Sequence, residues 1–208
     1  MRIAFCFDLD GTLTKEEILP KIARKIDLFE EIDLLTSITM KGLITFDRSF
    51  KLRVKLLSSI PISTVQEIVE RVQIDTILQD FVKKNSENCF IVTGNLNVWI
   101  NDFIETNYSC SYFSSSANFV DDQLIGLDKI LYKEDAIHKV REQFDVVVAI
   151  GDGMNDCSMF SVADIGIAYG GVHEPVSTLL KMSDYVIYDS TALVGLLENL
   201  KLKYESES

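Results

Sequence analysis

The segment IAFCFDLDGTL, residues 3–13, opens with five consecutive apolar residues and then carries Asp8, Asp10 and Gly11. An apolar run without polar alternation predicts a strand buried on both faces, as in a parallel sheet. Asp8 and Asp10 alternate along an extended chain, so both side chains can face the same space, and Gly11 permits a tight exit. Open α/β sheets bind their ligands at the carboxyl ends of such strands. Taken alone, the two aspartates fit a polar turn as well as a catalytic site.

Further short apolar runs alternate with helical patterns along the chain. The runs lie at 89–92, 146–150, 165–168 and 185–187. This alternation predicts an α/β fold, a Rossmann-like parallel sheet flanked by helices. Between the first run and about residue 80, only amphipathic helical patterns occur. We therefore expect an α/β core formed by residues 1–14 and 81–208, with an inserted helical unit at residues 15–80.

Two shorter segments carry predictions of their own. Residues 118–126 predict a hairpin that turns at Asp121 and Asp122. Residues 201–208 are expected to form a solvated tail.

Composition narrows the class of protein. The chain has 208 residues, 47% of them hydrophobic, and a net charge of −12. This acidity disfavours binding to nucleic acid or to an anionic membrane, whereas a bound divalent cation would still allow a small anionic substrate. The four cysteines have no C-x-x-C spacing, and no run approaches the roughly 18 apolar residues of a membrane span. We expect a cytoplasmic protein that is a monomer or a homodimer.

A second acidic motif, AIGDGMND at residues 149–156, closes another apolar run. Asp152 and Asp156 lie four residues apart with small residues between them, which suits a hard divalent cation. Asp156 could instead cap the helix that follows, because aspartate accepts hydrogen bonds from the amides of a first helical turn. Capping would leave Asp152 unexplained.

Two weaker features complete the set. Thr93 and Gly94 end another run, where a hydroxyl and the following amides could hold an anion. A lysine upstream of the second acidic motif could supply positive charge, and Lys129, Lys133 and Lys139 all qualify. Phosphoryl transfer needs a nucleophile, a proton donor and positive charge around the phosphoryl oxygens, and these features together provide them.

Other chemistries are poorly supplied. The chain has no G-x-x-x-x-G-K-[ST] and no G-x-G-x-x-G motif, which argues against those nucleotide-binding folds. His138 and His173 are not accompanied by a G-x-S-x-G motif, so we interpret both as ordinary surface or packing residues.

The motifs at residues 8–12, Thr93-Gly94, the upstream lysine and residues 151–156 resemble, in order, the four motifs of the haloacid dehalogenase (HAD) superfamily. The inserted helices resemble the C1 cap of that superfamily. Segments 14–18, 40–42, 46–49 and 52–57 are similar to the phosphoserine phosphatase family within it. The resemblance implies a HAD-like core with a C1 cap and Mg²⁺-dependent hydrolysis of a small phosphorylated metabolite.

The resemblance also implies catalytic roles. Asp8 would attack phosphorus to form an aspartyl phosphate, and Asp10 would act as acid and then as base. Thr93 would hydrogen-bond the phosphoryl group, and Lys133 is the preferred lysine because it opens the predicted helix before the second acidic motif. The implied Mg²⁺ ligands are the Asp8 carboxylate, the Asp10 carbonyl and Asp152, with Asp156 nearby.

The resemblance further assigns substrate contacts. Glu17 would meet the amine of phosphoserine, Arg53 its carboxylate, and Met40 and Phe46 would close the pocket. Gly94, Asn95 and Asn155 would lie near the phosphate. Asn95 departs from the family, which has glycine there, so its side chain could narrow the pocket or add a hydrogen bond. Another small phosphorylated metabolite as substrate, or a binding protein without catalysis, are the alternatives.

Overall fold

A computed structural model of the chain, which describes residues 1–206, contains one seven-stranded sheet. The strand order is β4-β3-β2-β1-β5-β6-β7, and all neighbouring strands are parallel except β3 and β4. The strands are β1 (Ile3–Phe7), β2 (Cys89–Leu96), β3 (Ser111–Val120), β4 (Gln123–Lys129), β5 (Val146–Gly151), β6 (Ile165–Tyr169) and β7 (Tyr185–Ile187). The predicted α/β class is confirmed, with β1 at the centre of the sheet.

Ten α-helices accompany the sheet. They are α1 (Ile18–Ala23), α2 (Phe29–Met40), α3 (Phe46–Leu57), α4 (Ile62–Val69), α5 (Thr76–Lys84), α6 (Asn97–Asn107), α7 (Lys133–Arg141), α8 (Cys157–Phe160), α9 (Ser177–Met182) and α10 (Ser190–Glu205). Among residues 1–206, none of these helices is long and apolar enough to cross a membrane.

Strand β1 shows why both faces of the sheet are covered. All five of its residues are buried, and successive side chains point to opposite faces. Ile3, Phe5 and Phe7 pack with apolar residues of α5, α6 and α10, whereas Ala4 and Cys6 pack with α7, α8 and α9. A strand buried on both sides has to be apolar throughout, which is the pattern that the sequence carries.

Helices α1–α4 form a helical insertion between β1 and α5. The chain enters and leaves this insertion through two adjacent extended segments, at which Lys15 N donates to Gln73 O (2.8 Å) and Asp75 N donates to Leu13 O (3.0 Å). We call these two segments the neck. Helix α5 lies on the core side of the neck, where Phe81 makes edge contacts with the rings of Phe5 and Phe7. We therefore propose that the insertion ends near residue 74, rather than at residue 80.

The expected hairpin is present, and it turns at Asp121 and Asp122. Its first strand begins earlier than predicted, since β3 starts at Ser111 and runs parallel to β2. The hairpin tip contacts the helical insertion, where Asp122 accepts hydrogen bonds from Ser63 N (2.7 Å) and Ser63 Oγ (2.6 Å). The hairpin therefore links the sheet edge to α4.

The predicted solvated tail from residue 201 is helical as far as Glu205, although most of its side chains are exposed. Helix α10 continues to that residue and is held on the core, because Lys201 Nζ donates to Asn85 Oδ1 (2.6 Å) and the amino terminus donates to Tyr204 O (3.1 Å). Residues 207 and 208 of the predicted tail lie outside the described residues.

Candidate active site

The carboxyl ends of β1, β2 and β5 meet at one edge of the sheet and carry the acidic residues. Asp8 directly follows β1, and its main-chain N–H donates to Ile150 O of β5 (2.9 Å). The chain then turns sharply through Leu9–Leu13, with Gly11 at φ +71°. A Cβ atom on Gly11 would lie 2.9 Å from Asp152 Oδ2, so glycine satisfies both the backbone angle and the close approach.

Lys133 is the lysine that reaches Asp8. It is the first residue of α7 and is almost fully buried, and its Nζ donates to Asp8 Oδ1 (2.5 Å) and to Asp156 Oδ1 (2.6 Å). Burial by itself would lower the pKa of Lys133, but the Asp156 and Asp8 carboxylates outweigh it and hold that pKa above its ordinary value. Lys129 and Lys139, the other candidates, are exposed.

Three buried carboxylates face one another beside this lysine. Carboxylate oxygens of Asp8, Asp152 and Asp156 lie within 4.8 Å of one another. Burial, followed by the charge of Asp156, raises the pKa values of Asp8 and Asp152 well above the usual range. Asp152 Oδ2 is buried and has no hydrogen-bond partner within residues 1–206. These oxygens fit a hard divalent cation, which would offset their mutual repulsion.

Asp156 does not cap the helix that follows it. Its Oδ2 accepts from the backbone amides of Asp152 (3.0 Å) and Gly153 (2.9 Å), which precede it in the chain. Its Oδ1 is bound by Lys133. Asp156 therefore stabilises the loop after β5 and holds Lys133 in position.

The side chain of Asn95 lies between Thr93 and Asp10 and hydrogen-bonds to both. Strand β2 continues past the predicted exit to Leu96, so that Thr93, Gly94 and Asn95 all lie within it. Asn95 Nδ2 donates to Asp10 Oδ2 and to Thr93 Oγ1 (3.1 Å). The backbone N–H of Asn95 also donates to Thr93 Oγ1 (3.2 Å). Of the two effects expected for Asn95, the structure shows the added hydrogen bond.

The pKa of Asp10 is subject to opposing effects. Burial, followed by the Glu17 carboxylate, raises the pKa of Asp10 to about 7, although hydrogen bonds from Ile18 N and from Asn95 stabilise its charged form. A carboxyl with such a pKa can both give and take a proton near neutral pH.

A cavity opens between this sheet edge and the helical insertion. Ten of its lining residues are those that the sequence singled out, and four, Leu19, Thr36, Thr39 and Phe50, are new. The ten are Asp8, Asp10, Glu17, Met40, Phe46, Arg53, Gly94, Asn95, Asp152 and Asn155. The four new residues carry no chemical motif, and the predicted helical insertion did not indicate which of its side chains would face the site.

Arg53 supplies a buried positive charge in this cavity. It is 5% exposed, and its Nη1 donates to Thr36 Oγ1 (3.0 Å), whereas its Nε has no partner among the described residues. Burial lowers the pKa of the guanidinium, and the Glu17 and Asp10 carboxylates oppose that effect. A buried guanidinium with an unpartnered donor is suited to an anionic ligand group.

Phe46 closes the cavity over Gly94. A Cβ atom on Gly94 would lie 2.4 Å from Phe46 Cζ, and the Phe46 ring also stacks on Phe50 with centroids 5.2 Å apart. The close approach requires glycine at this position of β2.

His173, which the sequence led us to interpret as an ordinary surface or packing residue, lies beside the cavity residue Glu17. It lies in the loop after β6, and its Nε2 is 3.4 Å from Glu17 Oε1. The useful signal was its position, because loops that follow the carboxyl ends of parallel strands border the ligand site of such sheets. His138 is exposed on α7.

This fold and this acidic site define a class of hydrolases. The model of the haloacid dehalogenase-like hydrolase family matches residues 5–161, and the chain belongs to that family. It is similar to the phosphoserine phosphatase of Methanocaldococcus jannaschii, with 29% identity over 175 residues that make up 78% of this chain and 83% of the relative. Other relatives are longer, and the chain spans 60% of the Archaeoglobus fulgidus phosphoserine phosphatase and 55% of the Haemophilus influenzae one.

Two solved structures are similar throughout. One is a substrate-bound phosphoserine phosphatase complex, 26% identical, with a TM-score of 0.80, in which 91% of this chain and 94% of that chain are covered. The other is a phospho-aspartyl intermediate analogue of phosphoserine phosphatase, 27% identical, with a TM-score of 0.78, in which 90% of this chain and 94% of that chain are covered. These comparisons confirm the resemblance that the motifs indicated.

Proposed function

We propose that this chain is a phosphoserine phosphatase that hydrolyses its substrate through an aspartyl phosphate on Asp8. The observation that carries this proposal is the environment of Asp8. Its carboxylate is buried, one oxygen is bound by Lys133, and it borders the same cavity as Glu17 and Arg53. That arrangement combines a nucleophile, a compensating cation and receptors for a charged substrate.

Mg²⁺ is the proposed cofactor, held by the Asp8 carboxylate, the Asp10 carbonyl and Asp152, with Asp156 nearby. When bound, it would reduce the repulsion between an attacking carboxylate and a phosphate dianion. The orphaned Asp152 Oδ2 supports this assignment.

In the proposed reaction, Asp8 attacks phosphorus and the bond from phosphorus to the serine oxygen breaks. Asp10 gives its proton to that oxygen, and serine leaves. Asp10 then takes a proton from a water molecule that attacks the aspartyl phosphate, which releases phosphate and restores Asp8. Lys133 would offset the charge of the Asp8 carboxylate before attack, and the pKa of about 7 lets Asp10 act in both directions.

The remaining cavity residues would bind the rest of the substrate. Arg53 would bind the carboxylate, Glu17 would attract the ammonium, and Met40 and Phe46 would cover the bound molecule. Thr93, Gly94, Asn95 and Asn155 would lie near the phosphoryl group, with Asn95 also orienting Asp10. An enzyme for such a metabolite would act in the cytoplasm, as a monomer or a homodimer.

A panel of phosphomonoesters, assayed for phosphate release with Mg²⁺, tests the substrate. We expect phosphoserine to have a far higher kcat/KM than glycerol phosphate or an aryl phosphate. Arg53→Ala should raise KM for phosphoserine much more than for the aryl phosphate, whereas Arg48→Ala, at an exposed position of the same helix, should change neither. A higher kcat/KM for another ester would refute phosphoserine as the substrate and favour that ester instead.

The mechanism has its own test. Asp8→Asn should reduce turnover of every ester to background while the thermal unfolding curve stays cooperative, and Asp80→Asn, at an exposed position of α5, should retain full activity. Retained turnover in Asp8→Asn would refute the aspartyl phosphate.

A further inference from the structure

His173, in the loop after β6, lies beside Glu17, the proposed ammonium receptor. Its ring packs on the turn after β1, since a Cβ atom on Gly11 would lie 2.8 Å from His173 Cδ2. Its Nε2 is buried, lies at ion-pair distance from Glu17 Oε1 (3.4 Å), and has no hydrogen-bond partner within residues 1–206. The imidazole is therefore directed at one carboxylate.

The charges around His173 favour that contact. The carboxylates of Glu17, Asp10 and Asp33 all act on it and favour its charged form. The contact with Glu17 is the largest effect that raises the pKa of His173, and burial opposes it. One oxygen of Glu17 thus has an imidazole nitrogen at ion-pair distance before any substrate arrives.

We propose that His173 is a specificity-determining residue that competes with the substrate ammonium for Glu17. The proposal rests on the proposed function, since it concerns how the same cavity treats the amine of phosphoserine. A carboxylate that is paired with an imidazole attracts an ammonium less strongly than a free one. The site consequently accepts short phosphorylated carboxylic acids that lack an amino group, together with phosphoserine.

The charge balance of the cavity supports this reading. Arg53 supplies a buried cation for a substrate carboxylate, and the carboxyl is common to phosphoserine and its deamino analogue. Glu17 is the cavity carboxylate that distinguishes the two compounds, because Asp8, Asp10 and Asp152 serve the phosphoryl group. A group that pairs with Glu17 therefore acts on the amine and leaves recognition of the carboxylate intact.

The test compares two substrates that differ only in the amine, phosphoserine and 3-phosphooxypropionate. The measured quantity is the ratio of their kcat/KM values, phosphoserine over analogue. His173→Ala should raise this ratio roughly fivefold to tenfold, mainly through a lower KM for phosphoserine. His173→Gln, which keeps a donor but cannot carry charge, should raise it by less. His138→Ala changes the other histidine, which is exposed on α7, and should leave the ratio unchanged.

An unchanged or lower ratio in both His173 variants would overturn the proposal. If His173→Ala does not fold, the His173→Gln ratio decides, and a value equal to that of the unmodified protein refutes the competition. Failure of the proposed function looks different, because the unmodified protein would then hydrolyse phosphoserine no better than an aryl phosphate. A strong phosphoserine preference with no response to either variant would refute only the role of His173.

Discussion

Replacing Lys133 with methionine keeps the unbranched apolar part of the side chain and removes a cation that lies between two buried carboxylates. Its Nζ is 2.5 Å from Asp8 Oδ1 and 2.6 Å from Asp156 Oδ1, and the three side chains are 4%, 6% and 0% exposed, respectively. Breaking a buried ion pair by removing one partner costs about 3–5 kcal/mol, because the remaining charge is uncompensated. We expect the free energy of unfolding of Lys133→Met to fall by that amount in metal-free buffer.

In a chain of this length, 1 kcal/mol corresponds to roughly 2–4 °C in Tm, so the expected drop is about 6–20 °C. Mg²⁺ should recover part of it, since the oxygens of Asp8, Asp152 and Asp156 lie within 4.8 Å of one another and a bound cation would neutralise them. The gain in Tm on adding Mg²⁺ should therefore be larger for Lys133→Met than for the unmodified protein.

Thermal unfolding followed by circular dichroism, with EDTA and then with excess Mg²⁺, measures both effects. Lys129→Met is the matched control, because Lys129 is exposed at the end of β4 and its Tm should stay close to that of the unmodified protein. Equal Tm values for the two variants in EDTA would refute the reasoning, as would a Lys133→Met protein whose Tm does not respond to Mg²⁺.

Two further substitutions test the turn after β1 and the link between β2 and Asp10. Gly11→Ala should lower the free energy of unfolding by about 1–2 kcal/mol in urea, because φ is +71° and the new Cβ would crowd Asp152. Gly195→Ala should instead raise the free energy of unfolding by about 0.5–1 kcal/mol, because a Cβ atom at this position of α10 meets no atom within 4 Å. Asn95→Gly should lower kcat for phosphoserine by roughly 10-fold to 100-fold with little change in KM, since Asp10 loses the donor that orients it; an unaltered kcat would contradict that role.

The central strand β1 could be predicted from the sequence because its apolar run is a local pattern. Each residue of β1 is buried, so the strand is apolar throughout, and the polar residues that follow it mark the functional edge of the sheet. Because parallel strands end at one edge of the sheet, the same pattern predicts that Asp8, Asp152 and Thr93 lie together. Lys133 was the preferred lysine because of its position at the start of a helix, which α7 confirms.

The missed features depend on contacts between distant parts of the chain. His173 meets Glu17 across 156 positions, and Arg53 meets Thr36 between two helices of the insertion, whose packing the sequence pattern does not specify. The parallel part of β3 is polar in sequence, because the strand is only partly buried there and apolar periodicity is therefore weak. The end of α10 was missed because its anchors, Asn85 and the amino terminus, lie far away in the sequence.

The neck, where Asp75 N donates to Leu13 O, separates the sheet core from the inserted helices. Because the chain leaves and re-enters the core at adjacent points, the segment between them can change in length or content at a small cost in loop-closure entropy and without altering the sheet. The candidate reacting groups lie on the strand ends, whereas Glu17 and Arg53 lie beyond the neck. Glu17 and Arg53 can therefore be exchanged together, while the reacting groups and the His173 loop at the sheet edge stay as they are.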